Sequence, residues 1–126
     1  MKIQDYKNFG EFLSSMREEK DITLREMARK LGVSAPFLSD VEKNRCAPLT
    51  AERLEKVAGI LGLSTSEKAD MYDLVGRQRD IVAPDLPDYI KSREYVSVAL
   101  RTARDMDAGE AEWQEFVERL RRKGKE

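Results

Sequence analysis

Apolar residues recur along this chain at three- and four-residue intervals, and no stretch keeps the two-residue alternation of a half-buried strand. The pattern predicts helices throughout. Phe9, Phe12, Leu13 and Met16 stripe a first helix from about Asn8 to Lys20, which Asp21 ends. Leu24, Met27, Ala28 and Leu31 stripe a second. It opens at Thr23-Leu24-Arg25-Glu26, a capping box in which hydroxyl and carboxylate each bond the other residue's amide, and it stops at Gly32. After a turn from Leu31 to Val33, Ser34 caps a third helix. Pro36 fits its first turn because amides there have no intrahelical partner. Leu38 and Val41 point inward, and the helix ends near Lys43, where Asn44 tolerates a positive φ. Thr50 caps a fourth helix with Leu54, Val57, Ala58 and Leu61 in its stripe and Gly62 at its end.

A second capping box, Ser64-Thr65-Ser66-Glu67, opens a fifth helix carrying Met71, Tyr72, Leu74 and Val75, with Gly76 as its expected stop. Asp80 to Pro87 reads as a connector, since Pro84 and Pro87 lie three apart. Later helices are expected at about Asp88 to Lys91, Glu94 to Met106 and Glu110 to Arg122. Tyr95, Val96, Ala99, Leu100, Ala103 and Met106 stripe the longer of these, and Trp113, Phe116, Val117 and Leu120 the last. The fold class is all-α, divided as a motif-bearing domain over residues 1–65 and a helical extension over 66–126.

A capped helix, a three-residue turn containing glycine and a second capped helix make a helix-turn-helix, whose second helix is the one offered to a DNA major groove. The residues Ile22-Thr23-Leu24-Arg25-Glu26-Met27-Ala28-Arg29-Lys30-Leu31-Gly32-Val33-Ser34, followed by Leu38-Ser39-Asp40-Val41-Glu42-Lys43-Asn44-Arg45, resemble the Xre family of Cro-like and lambda-repressor-like regulators. The resemblance runs from about Phe9 to Leu63 and is much weaker beyond. It implies a five-helix DNA-binding domain and a structural salt bridge between Arg17 and Glu42.

The same resemblance assigns base-edge contacts to Ser34, Ala35, Pro36, Ser39 and Asp40. It assigns phosphate contacts to Thr23, Leu24 and Arg25 at the start of the second helix and to Lys43, Asn44 and Arg45 after the third. Helix N-termini and flexible cations suit phosphate oxygens. Ala35 and Pro36 have no side-chain donor or acceptor, so they can touch a thymine methyl without making a bidentate contact, whereas the Asp40 carboxylate can accept from a cytosine amino group.

Composition narrows the chemistry. Of 126 residues, 40% are hydrophobic and 37% charged, the profile of a helix-rich chain with solvated faces. Net charge is −1; residues 1–65 hold 11 basic against 10 acidic groups, so DNA affinity has to come from where the cations point. There is no histidine and one cysteine. That leaves no internal disulfide, no ordinary zinc or iron ligand set, and no histidine-based catalytic triad. Neither metal nor cofactor is expected, and no enzyme activity. Asp85, Asp88, Asp105 and Asp107 lack the spacing of a paired-carboxylate site, and Cys46, in a loop, receives no role. No apolar run is long enough for a membrane span, and Met1 to Asp5 lacks an apolar leader core, so a cytoplasmic protein is expected, nucleoid-associated when bound to DNA.

The expected partner is double-stranded DNA, read at a palindromic operator by a homodimer joined through the C-terminal helices. The alternative is an antitoxin-like interaction module whose C-terminal helices hold a protein partner while the same reader autoregulates. The basic ending Arg119 to Lys125 reads as a complement to its helix dipole.

Overall fold

The computed structural model describes residues 5–124; the opening Met1 to Gln4 and Lys125 of the basic ending lie outside the described residues. The described residues form helices and no strand: α1 (Phe9–Glu19), α2 (Leu24–Leu31), α3 (Ala35–Glu42), α4 (Ala51–Leu61), α5 (Thr65–Arg79), α6 (Pro87–Ser92), α7 (Glu94–Asp105) and α8 (Glu110–Gly124).

Local chemistry places most of these boundaries. Asn8, Thr23, Ser34, Thr50 and Ser64 sit in extended backbone, and each side chain accepts from the amide three residues on, satisfying one of the orphan donors of a helix start. The boxes at Thr23/Glu26 and Ser64/Glu67 are both closed in the reciprocal sense. Gly32 and Gly62 take the left-handed conformation that ends α2 and α4, while Asp21 and Asn44 do the same after α1 and α3 at φ near 56° and 58°.

Gly76 behaves differently from the expectation. It does not stop α5, which continues to Arg79 and ends at Asp80 with φ 55°. Gly76 is buried instead, and a Cβ there would lie 3.0 Å from both the Ala83 nitrogen and the Ile81 carbonyl oxygen. The glycine lets the returning chain touch the helix, a long-range need that a local stop signal mimics.

The chain divides by packing into one unit that runs through Pro87 and a second from Asp88. In the first, α1 packs on α3 and α5, and α2 on α3 and α4. The core joins Phe9, Phe12 and Leu13 of α1 to Met27 and Leu31 of α2, Leu38 and Val41 of α3, and Leu54, Val57 and Leu61 of α4. Met71, Tyr72, Leu74 and Val75 of α5 enter the same core, with Leu49 and Ala83 contributed from loops. The packing unit is thus longer than the sequence motif that ends near residue 65.

The second unit has α6, α7 and α8 with no buried residue in any of them. Asp107, at φ 55°, and Gly109 link α7 to α8, where the Gly109 amide donates to the Glu112 carboxylate at 2.8 Å. No helix among the described residues is long and apolar enough to cross a membrane.

Candidate nucleic-acid interface

The third helix presents two opposed sides. Leu38 and Val41, three apart, are buried in the core. Pro36 is exposed and Ala35, Ser39 and Asp40 are half-buried, so these residues line the outer side, with exposed Ser34 at the cap. The five residues nominated as base-facing therefore lie along one side of a single helix, from its cap Ser34 to Asp40 in its last turn.

Its seat is fixed from α1. Arg17 spreads three nitrogens over two partners: Nε donates to Glu42 Oε2 at 2.8 Å, Nη2 to Glu42 Oε1 at 3.0 Å, and Nη1 to the Ile22 carbonyl at 2.9 Å. This two-pronged guanidinium–carboxylate geometry is the strong form of the ion pair. Both side chains are largely shielded, at 13% and 8% exposure, and the bond to Glu42 raises the Arg17 pKa further. Gly10 lets the two helices meet: a Cβ there would fall 2.5 Å from the Val41 carbonyl oxygen and 2.6 Å from that of Glu42. A side chain at position 10 would push α3 away from α1.

The nominated phosphate contacts lie at two places. At the start of α2, the Thr23 amide donates to Glu26 Oε1 at 3.2 Å and the Glu26 amide to Thr23 Oγ1 at 3.1 Å. The box thereby engages Thr23 and holds the Glu26 carboxylate below its usual pKa, chiefly through the Thr23 amide. The amides of Leu24 and Arg25 lie in the first turn, where backbone donors have no intrahelical acceptor and the positive end of the helix dipole falls. After α3, Lys43, Asn44 and Arg45 are exposed. Arg45 Nη1 lies 3.7 Å from Asp40 Oδ1, so a nominated phosphate contact and a nominated base contact are paired with each other on the open surface. Such a pair between two exposed side chains is weak and separable.

Four residues that were not nominated, Val33, Phe37, Arg53 and Gln78, border this surface. Phe37 is 39% exposed beside Val33, Ser34 and, from α4, Arg53, which together line a shallow cleft next to the outer side of α3. An exposed aromatic off the inward stripe was its one visible signal. Gln78 reaches from α5 and bonds Asn44 at 2.7 Å, a contact across 34 positions with no local signature. Among the described residues no group of three or more His, Cys, Asp or Glu is arranged to hold a metal ion.

A family profile described as Helix-turn-helix matches residues 13–68. The immunity repressor protein of Bacillus phage phi105 is 29% identical over 113 residues, covering 88% of this chain and 78% of that one. The HTH-type transcriptional regulator DdrOP3 of Deinococcus deserti is 28% identical over 127 aligned residues, covering 89% and 95%. The HTH-type transcriptional regulator SinR of Bacillus subtilis is 34% identical over 61 residues, 48% of this chain and 55% of SinR, so the match spans about half of that protein. Residues 13–68 are thus an Xre-like helix-turn-helix domain, in a chain whose relatives are transcriptional regulators and a phage immunity repressor.

Proposed function

We propose that this DNA-binding regulator represses transcription by occupying a roughly palindromic operator as a homodimer, with α3 of each copy in the major groove. The observation that carries the reading is the outer side of α3, where Ser34, Ala35, Pro36, Ser39 and Asp40 are grouped on a helix seated by the Arg17–Glu42 pair. Occupancy alone excludes polymerase, so no chemistry is required of the chain. The Leu24 and Arg25 amides, Lys43, Asn44 and Arg45 grip phosphates on either side and fix the register. Ser39 and Asp40 then meet base edges, Ala35 and Pro36 meet thymine methyls, and the shape of the duplex supplies the remaining selectivity. Such a protein acts in the cytoplasm, on the nucleoid.

Two reading heads have to lie about 34 Å apart to enter successive major grooves on one side of the duplex. The exposed apolar residues of α7 and α8 support pairing through the second unit. The same observation favours a second reading, in which those helices hold a different protein, as in an antitoxin, and the reader autoregulates. Selection of duplexes from a random pool by the wild-type chain and by Ser39→Ala and Asp40→Ala tests the reader. Altered base preference in the variants is expected at positions within each half-site. Identical enriched sequences from all three proteins would remove Ser39 and Asp40 from the reading surface.

A further inference from the structure

We propose that Gln78 is a positioning residue for DNA binding, which aims the Asn44 side-chain NH2 at a backbone phosphate. The inference rests on the DNA-binding reading above and adds to it a residue on α5, far in sequence from the helix-turn-helix.

The relay begins at a group with one possible role. The Phe9 amide is in the first turn of α1, has no intrahelical acceptor, and can only donate. It donates to Gln78 Oε1 at 2.8 Å. That bond decides which way the Gln78 amide lies, because an NH2 group there would face another donor. Gln78 Nε2 is thereby directed to Asn44, where it donates to Oδ1 at 2.7 Å. With its oxygen held, Asn44 presents Nδ2 on the other side. Asn44 is exposed, and Nδ2 forms no hydrogen bond among the described residues.

Backbone geometry secures the same residue. Asn44 holds φ 58°, its amide donates to the Val41 carbonyl at 3.1 Å, and the next amide, of Arg45, donates to Asp40 at 2.9 Å. Asn44 therefore stands at a fixed point just past the recognition helix, between exposed Lys43 and exposed Arg45. A neutral donor between two cations, held with its NH2 outward before DNA arrives, suits a phosphate oxygen and loses less freedom on binding than an unheld side chain. The relay has a sense: reversing either amide would set donor against donor or acceptor against acceptor.

The test measures affinity of the full chain for a duplex it enriches from a random pool and for a scrambled duplex, over a range of salt. Asn44→Ala is expected to weaken both by roughly tenfold or more, as for loss of a hydrogen bond to a charged group. Gln78→Ala frees the Asn44 side chain and is expected to cost roughly threefold to tenfold. The double variant should bind like Asn44→Ala alone, and none of the three should change the salt slope, because no cation is lost. Gln78→Glu separates positioning from folding. Its carboxylate still accepts from Phe9, so that amide stays protected from hydrogen exchange, but it turns the Asn44 amide about and sets Oδ1 toward the phosphate. Its loss should match that of Asn44→Ala and shrink to a small charge effect when Asn44 is already alanine. Additive losses, or Gln78 variants that fold and bind as wild type, would overturn the relay while leaving wild-type binding intact. A wild-type chain that enriches no duplex would overturn the DNA reading and the relay together.

Discussion

The two packing units spend their apolar residues in opposite ways. Up to Pro87, the striped side chains of five helices meet in one core, and residues such as Phe9, Met27, Leu38 and Met71 are fully buried. From Asp88 onward, the stripes are as regular, yet Tyr95 is 68% and Met106 77% exposed, and Trp113, Phe116, Val117 and Leu120 remain open. Their internal contacts are slight: Trp113 and Phe116 meet edge to face at 6.2 Å, and Arg93 lies over the Tyr89 ring. Most of an amphipathic helix's stability comes from burying its stripe, so a unit that buries none of its own side chains lacks that stabilisation within itself. The first unit is complete in its core; the second leaves its apolar stripes open, the kind of surface a partner covers.

The largest expected effect falls on the first unit alone. Glu42→Ala strands the shielded Arg17 guanidinium and should cost about 3 kcal/mol. Thermal unfolding of the full chain would record it as a clear drop in the main transition, whereas a loss well under 1 kcal/mol would class the pair with surface ion pairs. Next, Phe116→Glu combined with Leu120→Glu should weaken self-association by roughly a hundredfold in sedimentation, since each apolar side chain buried at an interface is worth about 1.5–3 kcal/mol. The main unfolding transition should stay in place; if it moves instead, those side chains serve the fold of the reader.

Arg45→Ala should leave both units folded, lower affinity for every duplex and reduce the salt slope by about 0.9. An unchanged slope would take Arg45 off the phosphate. The smallest effect is acid sensitivity. Bonds to Thr23 and Ser64 hold the Glu26 and Glu67 carboxylates below their usual pKa. Their contribution is therefore full above the unfolded carboxylate value, near pH 4.3, and is lost as pH falls through the lower folded values. Glu26→Gln keeps a capping partner that does not titrate. It should flatten the dependence of the unfolding midpoint on pH below about 4, and an unaltered dependence would mean that this box does not contribute there. Asp73 is shifted in the opposite sense: partial desolvation, and then the neighbouring Asp85 and Asp70 carboxylates, raise its pKa.

What the sequence made legible was whatever rests on neighbours. Caps at Thr23, Ser34, Thr50 and Ser64 and left-handed ends at Gly32, Asn44 and Gly62 follow from contacts three to five residues apart, and the structure places them there. The inward stripes of α1 to α5 follow from helical periodicity in the same way. Long-range contacts were hidden. Gly76 looks like a helix stop and is a point of close approach to Ala83; Leu49 and Ala83 join the core from loops that have no period. Gln78 looks like a solvated residue at a helix end and joins the first turn of α1 to the exit of α3. At the interface, grouping along α3 was readable, whereas the pairing of Asp40 with Arg45 and the outward position of Phe37 depend on side-chain placement that periodicity does not specify.

The most direct test of the reader is the selection of duplexes from a random pool by the full wild-type chain. The expected product is an inverted repeat whose half-sites are centred about 34 Å apart along the duplex. Recovery of the pool with no enriched sequence would contradict sequence-specific reading by α3.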